Sequence, residues 1–363
     1  MMPSSSSSSS KEYAHAGVDL QLADTVKGGL RSRLAEASRP EVIGELGGFG
    51  GLFDFTKLAK KYEQPVLVSS VDGVGTKLQL AISAGKHQVV GADIVNHCLN
   101  DIAVCGAEPL FFLDYVGMGK LEPHVFEEVL SGMTKACKAG NCALIGGETA
   151  QMPGFYKAGE YELVGSVVGV VEKKKILTGQ AVKPGDALIG VHSSGLHTNG
   201  YSLATRVFFT KLRYRMDDLL PGTKMTISDA LLEPHLNYSS LIGKLLDKFN
   251  RGKSTTRRTD NGIFALCHVT GGGFSGNLPR VLPKKCGAVI RTQAWGKSPL
   301  FEALENQGGI TPEELYEVFN MGIGLIMAVD PEKKDAIMKG IQAAGHNYTE
   351  IGEVTKTPGI QLD

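Results

Sequence analysis

Val66-Leu67-Val68-Ser69-Ser70-Val71-Asp72-Gly73-Val74-Gly75-Thr76-Lys77 is the stretch on which the reading of this chain turns. Its first six residues are rich in valine, too few for a helix, and they stop at Asp-Gly, a turn signal, so the run reads as a buried strand. Past the strand, Gly73 and Gly75 let backbone approach a ligand. Thr76 and Lys77 offer a hydroxyl and a cation to phosphate oxygens, and Asp72 suits a metal that bridges those oxygens. The spacing is not that of the GxxxxGK[ST] loop, and an Asp-Gly turn after a strand is common without any ligand. Taken alone, the segment leaves both readings open.

Working outward, residues 89–105 show apolar positions at helical spacing, 110–116 (Leu-Phe-Phe-Leu-Asp-Tyr-Val) read as a strand, and 123–139 as a helix with Pro123 in its first turn. A short strand over 142–146 is expected to end at Gly146-Gly147, followed by another over 161–171. Lys173 to Lys175, Thr178-Gly179 and Pro184-Gly185-Asp186 form a polar join. The second half restarts with strand 187–191. Helices are expected from about Tyr201, from about Ser228 and after Gly273, then a strand over 322–329, a helix from Pro331 to Ala344 and a final strand near 349–354. Strands mixed with helices in both halves predict α/β (α+β) architecture in two domains, 13–175 and 176–363, behind a disordered tail at 1–12 that contains Ser4 to Ser10.

Within the helix at 89–105, Asp93, His97, Asn100 and Asp101 fall on one face, while no Lys or Glu occurs between Val89 and Ala107. One reading is a solvated face; the other is a set of hard oxygen donors for a cation such as Mg²⁺. Gly146-Gly147-Glu148-Thr149 is a second strand-end turn with a carboxylate. Acids at several element ends, Asp72, Asp93, Asp101 and Glu148, repel one another in a shared space unless a cation sits between them, and Mg²⁺ with a nucleoside triphosphate answers that. Gly47-Gly48-Phe49-Gly50-Gly51 is an ordinary loop or a lid over a nucleotide. In the second half, Ser193-Ser194-Gly195-Leu196-His197-Thr198-Asn199 and His268-Val269-Thr270-Gly271-Gly272-Gly273 each lead from a strand into a helix. Such a turn suits a monophosphate, or else simple helix capping.

The bulk numbers set bounds. The chain has 363 residues, 42% of them apolar, enough for two cores. With 38 basic and 38 acidic residues it has no general attraction for nucleic acid or an anionic membrane. No apolar run is long enough to span a bilayer, the N-terminus lacks the features of a secretory signal, and six cysteines without a CxxC pair read as reduced thiols of a cytoplasmic protein.

The chain resembles the phosphoribosylformylglycinamidine cyclo-ligase family. The resemblance is carried by Tyr13 to Asp19, Arg39 to Val42, Leu46 to Gly50, Asp72 to Lys77, Asn100-Asp101, Gly106 to Tyr115 and Gly146 to Ala150. In the second half it continues through Ser193 to Gly195, His197 to Ser202, Thr270 to Gly273, Asn277 to Pro283 and Phe319-Asn320. It runs over about residues 11–355 in the family's order, and the serine tail lies outside it. One departure is His97, where the family usually has an apolar residue, so His97 is left off the site. The resemblance implies a PurM-like fold of two α/β domains, with a small N-terminal sheet that closes an intersubunit barrel in a homodimer. It implies Mg²⁺ and ATP bound by Gly47, Gly48, Phe49, Gly50, Asp72, Gly73, Gly75, Thr76, Lys77 and Asn100, with Asp72, Asp93, Asp101 and Glu148 on the metal. Formylglycinamidine ribonucleotide would lie on Ser193, Ser194, Gly195, His197, Thr198, Asn199 and Gly271 to Gly273, with Lys77, His197 and His268 in catalysis.

Selenophosphate synthetase and thiamine monophosphate kinase share the nucleotide half. The first uses a reactive residue near its N-terminus, and this chain has no Cys before Cys98; the second lacks the His197-Thr-Asn-Gly stretch in this context. A non-catalytic scaffold would have lost the acids, and a dinucleotide-dependent oxidoreductase would carry GxGxxG after its first strand.

Overall fold

The computed structural model describes residues 16–18, 22, 35–44 and 48–363; the serine tail and Gly47 lie outside the described residues. After a two-strand ribbon, β1 (Val42–Ile43) with β2 (Leu52–Phe53), come β3 (Pro65–Gly73), β4 (Glu108–Met118), β5 (Ala143–Gln151) and β6 (Tyr161–Glu172), arranged in the order β3-β6-β4-β5. The pairs β3/β6 and β6/β4 are antiparallel, and β4/β5 is parallel. Helices α1 (Lys77–Ala84), α2 (His87–Ala103) and α3 (Pro123–Ala139) accompany this sheet, and the predicted bounds of α3 are met at both ends. Helices α2 and α3 touch backbone to backbone. A Cβ at Gly91 would lie 2.0 Å from Val129 O, and one at Gly132 2.0 Å from Gln88 O, so no side chain larger than hydrogen fits the crossing.

Strand β3 alternates, with Leu67 and Val71 exposed (63% and 67%) on the outer face and Ser70 and Asp72 turned toward α2. β5 departs from expectation. It does not stop at Gly146-Gly147 but runs on to Gln151, pairing Gly147 with Asp114 and Glu148 with Tyr115. The glycine marks a close approach, not a turn: a Cβ at Gly147 would lie 2.2 Å from Asp114 Oδ1.

The second sheet joins β7 (Ala187–His192), β8 (Ile263–His268), β9 (Gly287–Ile290), β10 (Ile323–Val329), β11 (Tyr348–Thr355) and β12 (Gly359–Leu362) in the order β12-β9-β11-β7-β10-β8. Only β12/β9 is parallel. β10 is buried at every position, and a helix over Ser239–Phe249 and another over Lys334–Ala343 place Leu241, Leu245, Ile337 and Ile341 against it and β7. β11 is not the last strand; β12 follows it. Of the helices expected at Tyr201, Ser228 and Gly273, the first runs over Tyr201–Thr205 and on through a wider-wound stretch, Arg206–Lys211; the second is a single turn, Ile227–Leu231; the third, Gly273–Asn277, continues into a tighter turn, Leu278–Val281.

Candidate functional site

The polar face of α2 is a seam between the two halves. Asp93 and the Lys77 ammonium are both fully buried and 2.7 Å apart. Lys77 Nζ also donates to His197 O (3.0 Å) and Glu233 O (2.8 Å), and Asp93 Oδ1 accepts from His235 N at 2.7 Å. Asn96 donates to His235 O, Asn100 donates to Leu236 O, and Tyr238 N donates to Asn100 Oδ1. The segment from Glu233 to Tyr238 thus has its backbone groups satisfied by side chains of the first half. Burial pulls the Lys77 pKa down against the opposing charge of Asp93, and burial pushes that of Asp93 up against the charge of Lys77.

These contacts correct three sequence expectations. Lys77 is committed to the seam, not presented to a phosphate. Asp93 is tied to an ammonium and an amide, and Asn100 spends its amide on the second half. The reason is common to all three: a buried polar group needs partners, and here the other half supplies them.

One turn further along, Asp72 and Asp101 do meet. Asp72 Oδ2 lies 2.8 Å from His97 Nε2, and Asp101 Oδ2 lies 3.8 Å from the same nitrogen; the two carboxylate side chains keep 41% and 29% of their surface exposed. Asp101 also accepts from Ser70 Oγ (3.1 Å) and His268 Nδ1 (2.8 Å), and Asp72 Oδ1 from Gly73 N (2.7 Å). Burial would raise both carboxyls, but the imidazoles and these donors outweigh it and hold both below the ordinary range. Burial likewise opposes a charged His97, yet the hydrogen bond to Asp72 and the surrounding carboxylates leave its pKa raised. A part-exposed pair of anionic oxygen donors that holds an imidazole between them has the donor chemistry for a hard divalent cation.

Glu148 is not with them. It is exposed, and as the register partner of Tyr115 it points to the face opposite that of Asp114 and Gly147. Phe49 stands fully exposed with Gly48, Gly50 and Gly51 around it. Gly75 takes φ +69°, and Thr76 Oγ1 meets Ser202 Oγ at 3.1 Å across the two halves.

In the second half, the loop after β7 is held from within. Ser193 Oγ donates to Gly195 O, Ser194 Oγ donates to Pro234 O, and Asn320 Nδ2 donates to Gly195 O. His197 sits at φ +61°, fully buried, with its Nδ1 lacking a hydrogen-bond partner among the described residues. The glycine turn is adjacent: a Cβ at Gly271 would meet Asn199 Oδ1 at 3.1 Å, and Asn277 Nδ2 donates to the carbonyls of Thr270, Gly271 and Gly273. The loops lead into Tyr201–Thr205, which continues over Arg206–Lys211, and into Gly273–Asn277, which continues over Leu278–Val281.

Two histidines gain a place that spacing did not reveal. His235, in Glu233-Pro234-His235, stacks on His197 with 4.0 Å between ring centres and 19° between planes, and its Nε2 lies 3.0 Å from His268 Nε2. His97 Nδ1 lies 2.7 Å from Thr198 Oγ1. Burial first, then neighbouring imidazoles, hold His197 and His235 well below the ordinary histidine pKa; burial also lowers His268 against the pull of Asp101. Three neutral imidazoles close together suggest a metal, but His197 and His235 lie in nearly parallel planes, and one ion cannot lie in both. Asp114 was also missed as a chemical group. Its signal was a carboxylate inside an apolar strand, and burial pushes it up to about 7, with Glu148 adding to the shift.

This pairing of a four-stranded and a six-stranded sheet across a seam of carboxylates and imidazoles is that of an AIR synthase related protein. The N-terminal domain of that family matches residues 58–171 and its C-terminal domain residues 183–363. The chain is 43% identical over 344 residues to a phosphoribosylformylglycinamidine cyclo-ligase of Geotalea uraniireducens, with 95% of each chain covered. It is 45% identical to that of Geobacter sulfurreducens, covering 96% of this chain and 97% of the relative. It belongs to the phosphoribosylformylglycinamidine cyclo-ligase family, a family of ATP-dependent enzymes. Among solved structures, the hydrogenase maturation protein HypE of E. coli superposes with a TM-score of 0.64 at 16% identity, covering 94% of this chain and 93% of that one. Thiamine-monophosphate kinase from Stenotrophomonas maltophilia gives 0.61 at 16% identity, covering 92% and 95%; both likenesses concern the fold. No helix among the described residues is long and apolar enough to cross a membrane.

Proposed function

We propose that this chain closes the imidazole ring of aminoimidazole ribonucleotide from formylglycinamidine ribonucleotide in the cytoplasm, using one ATP per ring. The observation that carries the reading is similarity over nearly the whole length, 43% identity across 95% of both chains for one cyclo-ligase, not in one motif alone. The formyl oxygen of the substrate attacks the γ-phosphorus, ADP leaves, and the formamide nitrogen gives up its proton. The resulting iminophosphate carbon is then attacked by the ribosyl-bearing amidine nitrogen, that nitrogen loses its proton, and phosphate departs. Most of the catalytic task is to position the phosphates and neutralise their charge.

Asp72 and Asp101 would hold Mg²⁺, which supplies charge neutralisation at the phosphates, with Gly73, Gly75 and Thr76 beside them. Glu148, expected on the metal, stands on the outer face apart from that pair. Ser193, Ser194, Gly195, Thr198, Asn199 and Gly271 to Gly273 would line the substrate side. His197, buried and with its Nδ1 free of a hydrogen-bond partner among the described residues, is the proposed proton acceptor for the amidine nitrogen; His268, expected beside it, has both ring nitrogens engaged, by Asp101 and by His235. The halves divide at 175/176. A second copy would pair with the first sheet, supported by the exposed Leu67 and Val71 on its edge strand.

The test is turnover by the purified protein. ADP, phosphate and the aminoimidazole product should appear in equal amounts, and only when formylglycinamidine ribonucleotide is present. ATP hydrolysis without the ring product refutes the assignment.

A further inference from the structure

The carboxylates on the nucleotide side and the loop on the substrate side are joined by one continuous circuit of side-chain hydrogen bonds. From Asp72 it runs through His97 (2.8 Å) to Thr198 Oγ1 (2.7 Å), on to His235 Nδ1 (3.4 Å), then His268 (3.0 Å), and ends on Asp101 (2.8 Å). Asp101 in turn lies 3.8 Å from His97, which closes the ring. All three histidines are buried, as is Thr198, so water does not compete for these bonds.

The direction of every bond follows from its ends. A carboxylate only accepts, so His97 presents N–H at Nε2 to Asp72, and His268 presents N–H at Nδ1 to Asp101. A neutral His268 must then accept at Nε2, so His235 donates from Nε2 and accepts at Nδ1. The Thr198 hydroxyl supplies that proton. Having spent its one hydrogen, Thr198 Oγ1 accepts from His97 Nδ1–H. His97 thus bridges Asp72 and Thr198, while Asn100, 3.2 Å from His235 Nε2, directs its amide to Leu236 O at 2.8 Å.

We propose that His97 and Thr198 form a positioning link through which seating of the 193–199 loop sets the orientation of Asp72 and Asp101, so that ATP is committed only when substrate is in place. This rests on the cyclo-ligase reading and goes beyond it. The link is one hydroxyl wide: Thr198 belongs to the substrate loop, and its single oxygen serves both arms of the circuit. It is distinct from the chemistry, because His197, the proposed proton acceptor, lies outside the circuit with its Nδ1 unpaired among the described residues.

The experiment uses the intact protein with Mg-ATP and formylglycinamidine ribonucleotide. Thr198→Val keeps the shape and removes the hydroxyl. It should lower kcat for ring closure about tenfold, the loss expected for a broken buried hydrogen bond. It should also raise ATP hydrolysis in the absence of substrate and move the KM for ATP by no more than about twofold. Thr198→Ser should recover most of the loss. His97→Met should match Thr198→Val, and the double variant should be no worse than either single one. An unchanged ratio of ring closure to ATP hydrolysis in Thr198→Val overturns the proposal, as do additive effects in the double variant or failure of Ser to rescue. If the unaltered protein forms no ring product, the fault lies with the cyclo-ligase reading instead.

Discussion

Replacing Lys77 by Met separates a structural role from a phosphate-binding one. In the fold the ammonium is fully buried, 2.7 Å from Asp93, and it donates to two carbonyls of the second half. Met fills the volume but leaves the Asp93 carboxylate buried with one remaining donor, His235 N. Removing one partner of a buried ion pair costs about 3–5 kcal/mol. Each kcal/mol moves the melting point of a chain in the upper size range by about 2–4 °C, so a fall on the order of 10 °C is expected. Scanning calorimetry at pH 7.5 measures it. Adding Asp93→Leu should restore most of the loss, because an apolar pair in the same space leaves no charge unpaired. The reasoning is refuted if Lys77→Met melts within about 1 °C of the parent while KM for ATP rises tenfold or more, the signature of lost phosphate binding.

Asp114→Asn should stabilise the protein more at pH 8 than at pH 5. The folded carboxyl is raised from 3.8 to about 7, so the folded state binds the extra proton between those values and stability falls as pH rises through them; equal gains in urea midpoint at both pH values would contradict this. Val71→Asp, on the exposed face of the edge strand, should shift the protein from dimer to monomer in sedimentation velocity with its circular dichroism intact. A dimer that persists removes that face from the interface. Asp72→Asn should abolish Mg²⁺-dependent turnover, whereas Glu148→Gln, on the outer face, should leave the Mg²⁺ requirement as it was. Loss of Mg²⁺-dependent turnover in Glu148→Gln would return it to the metal set.

Local signals were legible where one element decides its own shape. Strand β3, helix α3 and the buried strands of the second sheet were read from apolar runs, Asp-Gly stops and an N-terminal proline, because those features act over a few residues. β5 was cut short for a physical reason: two glycines look like a turn along the chain, while Gly147 is small because Asp114 crosses it from the neighbouring strand. The polar face of α2 was correctly seen as needing partners. Its partners were misassigned, since a segment more than a hundred residues away supplies them and leaves no mark at positions 93 to 101.

By itself the chain's order of residues determined the family, the two-sheet α/β architecture and the pool of acids, histidines and glycine turns from which a site is made. Only the tertiary structure decided how that pool divides. Asp93, Lys77 and Asn100 are drawn into the seam, Glu148 is turned to the outer face, and Asp72 and Asp101 are left around His97. The division depends on which buried polar atoms find partners across the halves, and that distance-dependent competition has no counterpart in spacing along the chain.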